Sequence, residues 1–302
     1  MINRSMGPVE YGYICTLSVL WGASFFFMKV ALRGFGPFTI VFLRVAGSAL
    51  VLSLLLAMRG EKPVLSRELV IPLFLMGALN NMIPFSLILW GQQYVQSSVA
   101  SIINASSPLF SVVLAHYMTD EERMTPSRVS GIALGFSGVA LLIGIDTARV
   151  TGSALAGKLA MVLSSLSYAF AAIYGRRFRG QPPVRTAAGV LTAAAVLSLP
   201  MMLLFEDPLQ SPPQAESLLA VTGLVLLSTA LAFVLYFKTL ERTSPTNLLL
   251  VTFLIPLSAV VLGVVVLKET LHWNAFLGMA LIFAGLGVVD GRFLRKSQLP
   301  DR

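Results

Sequence analysis

Residues 11–32 read YGYICTLSVLWGASFFFMKVAL, an apolar run whose one charge, Lys29, stands near its far end. A membrane helix needs about 20 mostly apolar residues, because each rises about 1.5 Å through a hydrocarbon core about 30 Å thick. The hydrophobic part of a cleaved signal peptide is only about 7 to 15 residues long. Although Arg4 precedes it, the run therefore reads as a retained first helix. Composition extends this reading to the whole chain. The 302 residues are 56% hydrophobic and 12% charged, with a mean hydropathy of +0.81, whereas a soluble domain carries about 25% charged residues. There are too few charges to coat a soluble domain, so lipid is the solvent.

Ten stretches qualify as spans, near residues 11–33, 37–58, 69–92, 95–118, 127–145, 155–176, 184–205, 216–237, 245–267 and 272–291. The breaks between them, such as Gly36-Pro37, Asp120–Arg123 and Gln181–Pro183, carry turn formers or charges. The net charge of +8 would suggest nucleic acid in a soluble protein, but here the basic residues cluster at span edges rather than in a stripe with interleaved aromatics. The lipid bilayer, and no nucleic acid, is the expected partner. With the N-terminus inside, sixteen of the 22 Lys and Arg fall on the cytoplasmic side, five fall outside and Arg44 lies within a span. The positive-inside rule then places both termini, and the basic tail 292–302, in the cytoplasm of a plasma membrane such as the bacterial inner membrane. Cys15 is the single cysteine, so no intramolecular disulfide or Cys-based metal site is expected.

An offset of 147 residues superimposes the first five spans on the last five. Trp21 meets Tyr168, Lys29 meets Arg176, Ser97 meets Ser244, Glu122 meets Glu269, Gly131 meets Gly278 and Gly138 meets Gly285, while Pro108 and Pro256 match with a one-residue slip. Five is an odd number of crossings, so the second copy must lie upside down relative to the first. The expected fold is all-α and integral to the membrane: ten transmembrane helices as two inverted five-helix repeats, 11–145 and 155–291, around a central cavity.

The ordered set of residues also resembles a known family. Trp21-Gly22-Ala23-Ser24 with Lys29, then Phe42-Leu43-Arg44, is similar to the start of an EamA domain of the drug/metabolite transporter superfamily. The stretch Ala105–Phe110 around Pro108, with Glu122 and Gly131 downstream, resembles the fourth and fifth helices of that domain; Phe253–Leu257 around Pro256, with Glu269 and Gly278, resembles the second copy. The resemblance implies a carrier in which helices 1, 3, 4, 6, 8 and 9 surround the substrate path while 5 and 10 brace them. It also implies export of amino acids, other metabolites or drugs. One departure is plain: Leu191 stands where the second copy would repeat Arg44.

All fourteen acids lie at span ends or in loops, which leaves the coupling mode open between uniport and proton antiport. Arg44 is the charge well inside a span, and burying it uncompensated costs at least about 2.5 to 3.5 kcal/mol. It is either an anchor for a substrate carboxylate or a packing clamp on backbone carbonyls. Neutral polar groups suit a cavity lining: Ser24, Asn80 and Asn81 one turn before Pro84, Asn104 and Ser107 before Pro108, and Thr252 before Pro256. Proline removes a helix hydrogen bond and frees a carbonyl for a solute or water. Trp21, Trp90, Tyr168 and Tyr236 could form apolar walls with polar tips. The alternative for all of these is interhelical hydrogen bonding, packing or an interfacial belt. Glu122 and Glu269, on opposite faces, read as gate latches or as charges favouring the dipole of the next helix. Gly131 with Gly135, and Gly287 with Gly291, suit packing within the chain or a weak homodimer, so a monomer or weak dimer is expected.

The expected function is secondary transport of small neutral or zwitterionic solutes or drugs by alternating access, with no cofactor and no metal. An integral membrane enzyme would need a nucleophile with its base, a carboxylate pair or metal ligands at membrane depth, and the sequence shows none. A non-transporting receptor or scaffold is the other alternative, and the inverted design argues against it, because equivalent halves give two conformations by exchanging shapes.

Overall fold

The computed structural model describes residues 7–61, 67–119, 124–144, 152–207, 214–242 and 250–290. These residues form helices and no strand. Nine helices are long and apolar enough to span a membrane: α1 (Pro8–Ala31), α2 (Pro37–Met58), α3 (Arg67–Gln92), α4 (Ser97–Met118), α5 (Pro126–Gly144), α6 (Gly152–Phe178), α7 (Pro183–Phe205), α8 (Ala215–Thr239) and α10 (Trp273–Asp290). Between the last two runs α9 (Leu250–Val265), apolar but shorter. The expected start of that span, at 245, lies outside the described residues, as do Glu122, Gly291 and the tail 292–302.

Local chemistry sets the ends. Pro37 and Pro183 open α2 and α7 at first-turn positions, where the missing N–H has no intrahelical partner to lose. Gly60, at φ +69°, turns the chain after α2. Outward-facing side chains such as Ile71, Leu204 and Leu219 are more than two-thirds exposed, a surface that only lipid makes favourable.

The repeats interlock. α1 of the first repeat packs on α8 and α9 of the second, and α6 of the second packs on α3 and α4 of the first. Two mixed bundles result, flanked by the pairs α2–α7 and α5–α10. The α5–α10 pair is drawn close by glycines 147 residues apart: a Cβ on Gly131 would lie 2.7 Å from Gly285 O, and one on Gly138 would lie 2.6 Å from Gly278 O. Gly131 therefore serves packing within this chain, against Gly285 and Val289 of α10. Small residues let backbones approach where lipid supplies no hydrophobic drive between helices.

Candidate functional site

Arg44 lies where the bundles meet. Its side chain is 4% exposed, its Nε donates to Thr229 Oγ1 of α8 at 3.0 Å, and its Nη1 meets Met28 Sδ of α1 at 3.7 Å. The guanidinium lies over the Phe85 ring of α3, 3.8 Å from the centroid, and within electrostatic reach of Tyr168 on α6. One side chain on α2 thus touches both bundles. None of its hydrogen bonds goes to a backbone carbonyl, and among the described residues no carboxylate pairs with it. A desolvated cation–π contact is worth about 2 kcal/mol, below the cost of at least about 2.5 to 3.5 kcal/mol for a charge at membrane depth. The balance is left to the hydroxyl and the thioether.

Two helices loosen at mid-depth. In α3, residues Ala78–Met82 form a π segment, and in α8 so do Leu226–Leu231. They stand at equivalent places under the 147-residue offset. Pro84 follows the first and has no N–H to give to the carbonyl one turn back. No proline accompanies the second. Each segment carries a buried polar side chain without a partner: both amide atoms of Asn81 in α3, and the hydroxyl of Ser228 in α8, which are themselves 147 residues apart. Asn80 is half-buried beside Asn81.

The kink foreseen at Pro108 is a break in α4 between Ser97–Asn104 and Ser107–Met118. The carbonyl that Pro108 leaves without its N–H is that of Asn104, and Ser107 Oγ donates to it at 2.6 Å. The hydroxyl of Ser107 is therefore used locally rather than offered to a solute. The Asn104 side chain bridges to α6, its Oδ1 accepting from Ser164 Oγ at 3.2 Å. In α9 the helix continues through Pro256, with Thr252 half-buried one turn before.

A polar layer closes the end of the molecule where α1 finishes. Glu269 Oε1 accepts from Ser97 N at 2.7 Å and Ser97 Oγ at 2.8 Å, and its Oε2 accepts from Ser98 N at 3.0 Å and from Ser98 Oγ. Lys268 adopts φ +58° after α9, and Glu269 N returns to Gly263 O. This turn swings the carboxylate over the start of α4, and Gly263 leaves room for it, since a Cβ there would lie 2.5 Å from Glu269 Oε2. Glu269 thus charges the N-terminus of α4, 171 to 172 residues away, not that of the following α10. Beside it Lys29 Nζ donates to the carbonyls of Gln92 and Val95, and Gln92 Nε2 donates to Phe25 O at 3.2 Å. Together these bonds tie α1 to α3, and α4 to the α9–α10 turn. Glu206 acts similarly on α2, accepting from Phe38 N, Thr39 N and Thr39 Oγ1.

Of the proposed aromatic walls, Trp21 and Tyr236 meet with ring centroids 5.7 Å apart, joining α1 to α8, and Tyr168 lies near Arg44. Trp90 is 40% exposed and meets Tyr94 edge-on, a placement that suits an interfacial belt. Ser24 and Pro84 are buried. Sequence reasoning missed Thr229, Phe85, Met28, Gln92 and Glu206. None carries a local signal, because each acquires its role from a partner distant in the chain.

The profile of the EamA-like transporter family matches residues 9–144 and again residues 155–289. Over 288 residues the chain is 26% identical to the uncharacterized transporter YoaV of Bacillus subtilis, covering 94% of this chain and 97% of that protein. The uncharacterized inner membrane transporter YedA of Escherichia coli K12 is 26% identical over 297 residues, 96% of this chain and 94% of its own length. A probable terminal-alkyne amino-acid exporter of Streptantibioticus cattleyicolor is 27% identical over 289 residues, 94% of this chain and 95% of its own length. A solved crystal structure, 20% identical in sequence, matches with a TM-score of 0.67 over 95% of this chain and 99% of that chain, which establishes a shared fold. The duplicated profile, the interlocked repeats and the span-length apolar helices agree: this multi-pass membrane protein is a transporter and belongs to the EamA-like transporter family.

Proposed function

We propose that the chain exports small neutral or zwitterionic solutes of amino-acid size, or drugs, across the plasma membrane by alternating access, with both termini cytoplasmic. The observation that carries this reading is the polar layer at the end where α1 finishes: Lys29, Gln92 and Glu269 hold the mixed bundles together there. With the termini inside, that end faces outward, and the layer is the outer gate in its closed state. Undoing it while an equivalent closure forms at the other end exchanges the shapes of the repeats. Glu122, 147 residues before Glu269, is the group expected to act at the inner gate. Export and amino-acid size draw support from the family and from the relative named as an amino-acid exporter.

Counterflow in proteoliposomes against labelled amino acids, their derivatives and amphipathic drugs tests the proposal. Accelerated uptake of at least one solute into preloaded vesicles is expected; no movement of any member would remove the carrier reading. A C-terminal fluorescent fusion that lights only on the cytoplasmic side checks the orientation.

A further inference from the structure

Among the described residues the buried guanidinium of Arg44 has no carboxylate counter-ion, and three features of its surroundings bear on what completes it. First, its hydrogen bonds reach a hydroxyl and a thioether, not the carbonyls a packing clamp would hold. Of the five N–H donors of an arginine, most remain unused here. Second, the two acids that bond into the starts of spanning helices are committed there: Glu206 to the start of α2, and Glu269 to the start of α4. Neither serves Arg44. Third, the fold does not require a cation at this place. Leu191 occupies the equivalent position on α7, fully buried, and α7 packs on the π segment of α3 as α2 packs on that of α8. A helix pair of the same geometry is thus built with an aliphatic side chain.

Resting on the carrier reading, we propose that Arg44 is the anchor for a carboxylate on the transported solute, which makes small carboxylate-bearing molecules, zwitterionic amino acids among them, the preferred substrates. A guanidinium presents parallel N–H groups that match a carboxylate with two hydrogen bonds. The contacts of Arg44 with α1, α3 and α8 place the anchored group between the two mixed bundles, where parting of the bundles at either end would expose it.

The test uses the full chain in proteoliposomes with matched solutes: an amino acid, its amide and its decarboxylated amine. In the wild type, counterflow of the acid should exceed that of the amide and the amine at least about tenfold, since a site built to bond a group rejects analogues lacking it. Arg44→Leu, which copies the residue at 191, should remain monodisperse in detergent and lose the preference for the acid, whose counterflow should fall at least about tenfold. Arg44→Lys, a point charge without the fork, should fall between. Equal counterflow of acid and amide by the wild type, or retention of acid counterflow by Arg44→Leu, overturns the assignment and leaves the carrier reading standing. If both variants fail to fold, the wild-type comparison decides alone. If no solute of any kind moves, the carrier reading fails and the anchor falls with it.

Discussion

The π segments of α3 and α8 stand at equivalent places in the two repeats, yet their surroundings differ. In α8, Thr229 accepts a bond from Arg44 and Ser48 donates to Val225 O. In α3, Ser167 donates to Leu79 O, Met82 stands where α8 has Thr229, Leu191 replaces the arginine, and Asn81 keeps both amide atoms unpartnered. The backbone is duplicated while the chemistry is not. Exchange of shape between repeats needs only equivalent backbones, whereas a charged group of a solute needs one cation. Two would add a second uncompensated charge at membrane depth.

The largest expected effect comes from forcing the halves to match. Leu191→Arg buries a second guanidinium opposite Met82, and should cost at least about 3 kcal/mol, seen as loss of the monodisperse fraction or a large fall in Tm. Adding Met82→Thr, which supplies the hydroxyl found at 229, should recover part of it. A Leu191→Arg protein as stable as the parent would show that packing does not set the asymmetry. Next is the latch that the second repeat supplies to the first. Glu269→Gln removes the charge and turns an amide N–H toward the N–H groups of Ser97 or Ser98, which should weaken this end by about 2 kcal/mol. With Cys15 replaced and a reporter cysteine at Gln96, labelling by an impermeant thiol reagent should quicken; unchanged labelling would detach Glu269 from gating.

A smaller effect of opposite sign is expected at Asn81. Asn81→Leu removes an amide that finds no partner, so Tm should rise by the equivalent of about 1 kcal/mol, whereas a fall would mean that the amide is bonded in the membrane. The smallest change concerns Pro84. Since α8 forms its π segment without a proline, with Leu231 at the equivalent position, the segment in α3 should outlast Pro84→Ala with a stability change under about 1 kcal/mol. Loss of counterflow would indicate that α3, unlike α8, depends on its proline.

Much of this was legible beforehand. The spans follow from apolar length and the repeat from the offset, at which Gly131, Gly138, Gly278 and Gly285 recur. Pro84 and Pro108 marked where helices loosen. The π segment of α8 had no such mark, since no proline stands in it. Ser107 looked available for a solute until its hydroxyl was found on Asn104 O, and Glu269 looked like a charge for the next helix until it was found on α4.

By itself the sequence determined the solvent, the crossings and the duplication, because burial of backbone in lipid demands helices of a set length whatever surrounds them. It also singled out Arg44 as a charge needing an explanation. Only the tertiary structure decided that Arg44 meets Thr229, Met28 and Phe85 and, among the described residues, no carboxylate, and that Glu269 closes one end through Ser97 and Ser98. These pairings join residues 16 to 185 positions apart, and which distant helices become neighbours is set by the interlocking of the repeats, not by any local propensity.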